Sequence, residues 1–324
     1  MGADGGHAGA DGCDMSGDRP AVMLEEVLGE PQMLAGLLDA YAAPGGPLAA
    51  LPEVAAPVRI AFSGLGSSRF AALDAASRMR ADGQAAWAEY ASADAGTPPA
   101  RDVIFVAISA SGSTPETVAA AERHRGTGLV VAVTNREVSA VVDAADVVLP
   151  LFAGEETSGV STRTFLATNA VLTMLANRLC GASADVEALR PAVDGLERLL
   201  DNRDAWLPQA ADLLDGAEAV GVIGPASTIG LAEQGAMMLR EGPRLRASAH
   251  EATDWLHTAI YTALPGFRAL LLPGAADAER LTSVIAGRGG ATVEAPPMTG
   301  PAQLVLPAVA DLLAVELWRR AGSS

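Results

Sequence analysis

Residues 102–108, DVIFVAI, are an apolar, largely β-branched run that stops at SASGST, where four hydroxyl residues surround one glycine. A proline-led helical pattern, PETVAAAERHR, follows at once. This order of apolar run, small-residue turn and helix recurs along the chain. PVRIAF (57–62) leads into SGLGSS and the helical pattern RFAALDAASRMRADG, and GLVVAVT (128–134) and ADVVLPL (145–151) continue the series. AEAVGVIG (217–224) begins a second series through PAST and IGLAEQGAMMLRE. Runs this short and this apolar are strands buried on both faces, and parallel strands need helical crossovers between them. The expected fold class is therefore α/β, with parallel sheets wound by helices on both faces. RALLLPG, ATVEAP and LVLPAV are expected as further strands, AVADLLAVELWRR as a closing helix, and residues 162–180 as a long helix.

Two such series imply two doubly wound halves, linked by the polar helical stretch DVEALRPAVDGLERLLDNR. The expected divisions are a disordered tail over 1–22, N-terminal helices and a first half over 23–190, and a connector helix and second half over 191–324. At 324 residues the chain is long enough for both. The opening residues have neither a basic start nor an apolar stretch of signal-peptide type, and no apolar run is long enough to span a bilayer. Cys13 and Cys180 have no metal-ligand spacing, so a reducing cytoplasm is expected, with no membrane partner. The net charge of −17 argues against nucleic-acid binding. All 22 basic residues are arginine, so no step can run through a lysine imine.

An anion can be held on so acidic a chain only by a locally built site. In open parallel sheets ligands bind beyond the carboxyl ends of strands, where unpaired helix N–H groups and the helix dipole favour negative charge. SASGST sits at such a point. Thr114 and Pro115 suit the N-cap and first helical position, Ser109, Ser111, Ser113 and Thr114 offer hydroxyls, and Gly112 permits close backbone approach. GLGSS (64–68) supplies a second loop of the same kind. Neither is a dinucleotide fingerprint or a P-loop.

The string ISASGSTPET resembles the S-x-S-G-x-T signature of the sugar isomerase (SIS) domain. The chain from 23 to 321 resembles the isomerase half of glucosamine-6-phosphate synthase and its deaminase relatives. MLEEVLGEPQML, GSSRFAA, AGEETSGVSTRTF, AEQGAMMLRE and DWLHTA carry the rest of the resemblance. It implies two tandem SIS domains, a phosphorylated sugar or amino sugar as ligand, no cofactor or metal, and a homodimer. It places the phosphate on Ser68, Ser109, Ser111 and Thr114, with Ser67 and Ser161 near the sugar. Glu241 falls at the family's enolisation base, His257 at its ring-opening histidine and Glu156 at a family glutamate. Arg163 and Arg240 stand where the family has lysine, Met238 replaces a further lysine, and Gln234 replaces a glutamate. The glutaminase domain and the lysine-bearing C-terminal tail have no counterpart in the sequence, so a synthase route from glutamine is not expected.

The residue chemistry fits this assignment. A carboxylate such as Glu241 moves a proton between C1 and C2 well when burial raises its pKa, and a histidine opens a sugar ring well near neutrality. His250 lies seven residues before His257, so a helical HEATDWLH would put both on one face, with Glu251 and Asp254 available to orient a histidine. Glu156 follows a strand end and otherwise reads as a solvated loop residue. Arg163 opens a helix, where it would reach a phosphate or hydroxyl or stay a surface charge. His124 reads as lying on a polar helix face. The function expected is isomerisation, or isomerisation with deamination, of a hexose or amino-hexose 6-phosphate. The alternatives are a non-catalytic sugar-phosphate sensor and a deglycase acting on a sugar–amine adduct.

Overall fold

The computed structural model describes residues 18–53, 58–180 and 186–322. Of the tail expected over 1–22, residues 1–17 with Cys13 lie outside the described residues. Helix α1 (Arg19–Leu28) already begins within that span, because Asp18 accepts a hydrogen bond from the Ala21 N–H at 3.4 Å and Pro20 suits a first turn. Helix α2 (Glu30–Ala42) follows.

The first sheet is built from β1 (Arg59–Gly64), α3 (Ser67–Ala81), β2 (Ala85–Tyr90), β3 (Val103–Ile108), α4 (Pro115–His124), β4 (Leu129–Thr134), α5 (Ala140–Asp143) and β5 (Val147–Pro150). All its strands run parallel in the order β2-β1-β3-β4-β5. Helices α6 (Arg163–Leu179), α7 (Pro191–Asp201) and α8 (Leu207–Leu214) come next. The second sheet comprises β6 (Ala219–Gly224), α9 (Ile229–Glu241), β7 (Ala247–Glu251), α10 (Ala252–Thr258), β8 (Phe267–Leu271), α11 (Ala278–Gly287) and β9 (Ala291–Glu294). It is also parallel, in the order β7-β6-β8-β9. Helices α12 (Ala302–Val305) and α13 (Pro307–Gly322) close the described chain. Among the described residues no helix is long and apolar enough to cross a membrane.

Every residue of β3 is buried, and β1, β4 and β6 are buried after their first residue, which is why each reads as an unbroken apolar run. The edge strands β2 and β7 escape that pattern: AAWAEY and ASAHE are alanine-rich or polar, and both are largely half-exposed. LVLPAV (304–309) is not the expected strand but the end of α12 and the start of α13. A short apolar run fits a buried helix as well as a strand, and Pro307 begins sixteen helical residues that decide the matter. His124 is likewise not on a polar face. It is buried and stacks on Phe105 with ring centroids 3.9 Å apart.

One continuous core spans both sheets, with α3, α6, α9 and α13 between them. Thirteen successive α6 residues, Thr164–Ala176, are buried. Within that core the α3 residue Asp74 accepts the Gly230 N–H at 2.7 Å and the Leu231 N–H at 3.1 Å, closing the N-terminus of α9 from 156 residues away. Gly230 has no room for a side chain, since a Cβ would strike the Phe70 carbonyl and approach Asp74 Oδ1 to 2.8 Å. Burial pushes the Asp74 carboxyl up to about 7, against the two N–H bonds and Arg78, which favour the charged form. Asp74→Ala would strand both N–H groups in the core, and urea titration is expected to show a loss of about 2–4 kcal/mol.

Candidate functional site

The order β2-β1-β3-β4-β5 reverses direction between β1 and β3, so a crevice opens beyond their carboxyl ends. Both small-residue loops lie there. A Cβ on Gly64 would lie 2.9 Å from Ser68 Cβ and 3.2 Å from the Ile108 carbonyl, so the turn after β1 packs against the end of β3. Gly66 takes φ +51 just before α3, and Ser67 and Ser68 form the half-buried first turn of that helix. Beside them the Arg69 guanidinium lies over the Tyr90 ring, 3.8 Å from its centroid.

The loop after β3 is pinned on both sides. The Ser109 N–H donates to the Val133 carbonyl at 3.0 Å, Asn135 N–H to Ala110 at 3.1 Å, and Val141 N–H to Gly112 at 3.0 Å. Gly112 turns the chain at φ +68 and is buried, with the side chains of Ser139 and Thr134 filling the space a Cβ would need. The hydroxyls form one cluster: Ser109 Oγ lies 3.0 Å from Thr114 Oγ1 and 3.5 Å from Ser111 Oγ, and Ser113 Oγ donates to Ser111 Oγ at 3.3 Å. Thr114 occupies the N-cap of α4 as expected, but its hydroxyl pairs with Ser109 and makes no cap bond. The first N–H groups of α4 are thereby left to a ligand or to water. Ser109 is buried while Ser111 and Ser113 are exposed, so the cradle has a closed floor and an open rim.

A second group gathers at the start of α6. Glu156 is not a solvated loop residue. It accepts the N–H of Thr162 at 2.8 Å and of Thr164 at 3.0 Å, and both hydroxyls of those threonines at 3.3 and 2.5 Å. It caps α6 from six residues upstream, and the dipole favours its charge there. Ser161 Oγ lies 2.7 Å from Thr164 Oγ1, and the Gln234 side-chain amide of α9 donates to the Ser161 carbonyl at 2.8 Å. Arg163 donates to the Glu155 carbonyl at 2.5 Å, so at least one of its guanidinium N–H groups is spent on the chain itself. Glu26 of α1 accepts the N–H groups of Thr157 and Ser158 at 2.6 and 3.1 Å and also the Ser158 hydroxyl.

Glu241 ends α9 and is half-buried. Burial pushes its carboxyl above the usual glutamate value, and Arg240, Arg244 and Arg19 pull it back. Arg240 is also tied to the Ala247 carbonyl at 3.0 Å, and Met238 is buried. The two histidines do not share a helix face. His250 is in β7, because the edge strand runs to Glu251, while His257 is exposed in α10. His250 Nε2 lies 2.8 Å from Ser248 Oγ, and burial pushes its pKa down while Asp254 pushes it up. Glu251 orients no histidine: its carboxylate caps α10 through the Asp254 N–H at 2.7 Å.

Sequence reading missed Ser139, Thr134, Asn135 and Asp74. TNREVS after β4 was the available signal for the first three, a polar turn at a third strand end. Asp74, in a helix interior, carried none. Among the described residues no cluster of His, Cys, Asp and Glu could hold a metal.

A sequence model of the SIS domain matches residues 54–178. The glutamine–fructose-6-phosphate aminotransferase (isomerizing) of Aeropyrum pernix is 30% identical over 262 residues, which are 77% of this chain and 42% of that protein. The enzyme of the same name from Symbiobacterium thermophilum is 32% identical over 163 residues, 48% of this chain and 27% of its own length. The chain thus spans less than half the length of the curated relatives it matches. Among solved structures, the C-terminal domain of glucosamine-fructose-6-phosphate aminotransferase from Francisella tularensis aligns with TM-score 0.75 at 18% identity, over 93% of this chain and 96% of that one. Tagatose-6-phosphate ketose/aldose isomerase from Escherichia coli aligns with TM-score 0.73 at 16% identity, over 93% of both chains. At those identities the structural likeness establishes the fold.

Proposed function

Starting from a chain whose residues 54–178 belong to the SIS-domain family, we propose that it binds a phosphorylated sugar and isomerises it through an enediol. The substrate is a hexose or amino-hexose 6-phosphate, and the second sheet is a second domain of the same type. The observation that carries this reading is the hydroxyl cluster Ser109–Ser111–Thr114 at the N-terminus of α4, where the strand order reverses. On this reading Ser68, Ser109, Ser111, Ser113 and Thr114 hold the phosphate with the free N–H groups of α4, Gly112 lets the backbone close on it, and Ser67 and Ser161 meet the sugar. Glu156 acts from behind by fixing Ser161 and the start of α6.

Glu241 takes the C2 proton and returns it to C1, while the hydroxyl proton passes from O2 to O1. No atom is lost and no oxidant is required. The raised pKa of Glu241 suits this work, because a carboxylate nearer the working pH gives and takes a proton more readily. His257 opens the ring. Its exposure on α10 fits a residue that reaches the site of a second copy in a homodimer, and His250 lines the same side. No cofactor takes part, and the compartment is the cytoplasm.

The test is proton exchange in D₂O with glucose 6-phosphate, fructose 6-phosphate and glucosamine 6-phosphate, followed by NMR. Deuterium entering at C2 of an aldose or C1 of the ketose is the expected result, and ammonium release beside it selects the deaminase. Binding of all three without exchange would instead favour the sensor, and exchange only with a sugar–amine adduct the deglycase.

A further inference from the structure

The first turn of α2 and the middle of α13 each bury one carboxyl group completely. Glu30 is 0% exposed and Asp311 1%, and none of their four oxygens has a hydrogen-bond partner among the described residues. The charged groups acting on Glu30 are Asp311, Glu156 and Arg163; Glu156 acts on Asp311. Of the elements packed alongside, α9 brings the neutral amide of Gln234, whose Oε1 also lacks a partner, and α1 brings Glu26, which Thr157 and Ser158 already bind.

The charges can be counted. Glu156 accepts from four donors at a helix N-terminus, a setting built for a carboxylate. Arg163 is the one positive charge acting on Glu30, set against two acids. A further negative charge at Glu30 or Asp311 would then stand unpaired, without hydrogen bonds and out of water, which is strongly unfavourable. Burial accordingly pushes both carboxyls well above their ordinary values, and the neighbouring acids push Glu30 higher against Arg163.

We propose that Glu30 and Asp311 are held as uncharged acids and are positioning residues for the Ser161 loop, acting through Glu156. Ionising either one sets a negative charge against the Glu156 carboxylate, which loosens its hold on Thr162 and Thr164 and so frees Ser161. Only the part played by Ser161 in sugar binding rests on the function proposed above. The sign follows from linkage. An acid whose native pKa exceeds its unfolded value binds more protons when folded, so stability falls as pH rises from about 4 through the native value.

Glu30→Gln and Asp311→Asn imitate the protonated acids. Each is expected to raise the melting temperature by roughly 3–6 °C at pH 8 and by less than roughly 1 °C at pH 5. Amide exchange at Thr162 and Thr164, corrected for intrinsic rates, reads the positioning without any ligand. Wild-type protection should fall by about tenfold or more between pH 6 and pH 10, the equivalent of one pKa unit of coupling, and stay level in the double variant Glu30→Gln/Asp311→Asn. Wild-type protection that is flat over that range, or falls equally in the double variant, would overturn the proposal, as would equal melting shifts at pH 5 and pH 8. Affinity for glucose 6-phosphate relative to inorganic phosphate should follow the same alkaline decline in the wild type and not in the double variant. If neither compound binds, the proposed function is wrong, while melting and exchange still decide the role of the two acids.

Discussion

Glu241→Gln is expected to lower deuterium exchange into a hexose 6-phosphate by about 10²–10⁴-fold, the range a positioned general base supplies. Glutamine keeps the size and polarity of the side chain but cannot accept the carbon-bound proton. Ligand affinity should therefore change by no more than about threefold, so the loss falls on kcat and not on KM. Calorimetry on the variant separates the two quantities. The pH profile adds a second check. Glu241 must be ionised to act as base, and burial has raised its pKa, so the acidic limb of the wild-type profile should lie above the ordinary glutamate range. Removing Arg244 should move that limb higher still, because Arg240, Arg244 and Arg19 are what hold the value down. An unchanged exchange rate in Glu241→Gln would remove the residue from the chemistry.

Gly112→Ala should cost about 2–4 kcal/mol of stability and more than tenfold in phosphosugar affinity. Two penalties combine here. A φ of +68 is unfavourable for any residue with a side chain, and the new methyl would lie 2.5 Å from Ser139 Cβ and 3.1 Å from Thr134 Oγ1. The loop has no slack to absorb the strain, since it is bonded to β4 on one side and to α5 on the other. Urea titration gives the first quantity and calorimetry the second. Ser139→Gly in the same background should restore part of both, because it removes the atoms that collide. A double-mutant cycle would show coupling of about 1 kcal/mol or more, whereas strict additivity would mean that backbone strain alone is responsible.

The sequence made the central strands and the edge strands β5 and β9 easy to see, and the edge strands β2 and β7 hard. β1, β3, β4, β6 and β8 have helices on both sides, so most of their side chains are apolar whichever way they point. β2 and β7 have one free edge and partly open faces, which lets glutamate, histidine and serine enter and blurs the pattern. Residues 304–309 misled for a related reason: six buried apolar residues look alike in a strand and in a helix. At the candidate site the loop Ser109–Thr114 was legible because turn, cap and helix start are all local. The role of Glu156 was half-legible, with its donors six and eight residues onward. The bonds from Asp74 to α9 and from Gln234 to Ser161 join residues 156 and 73 apart, so no window of sequence contains both partners. The histidine pair failed on one premise, that His250 belongs to the helix of His257.

Asp74 gives the second sheet a different fate from the first. The helix that follows β6 stands where the helix after β1 stands in its own sheet, and its opening N–H groups are the natural seat for an anion. That seat is already taken by a carboxylate grown from the other half. Two similar architectures in one chain therefore differ at this helix start, which after β6 is a socket for the neighbouring carboxylate. The arrangement also makes the halves poor modules. Either expressed alone would bare a buried acid or an uncapped helix, and no change at position 74 would make room at Gly230, because a Cβ there strikes the main-chain carbonyl of Phe70.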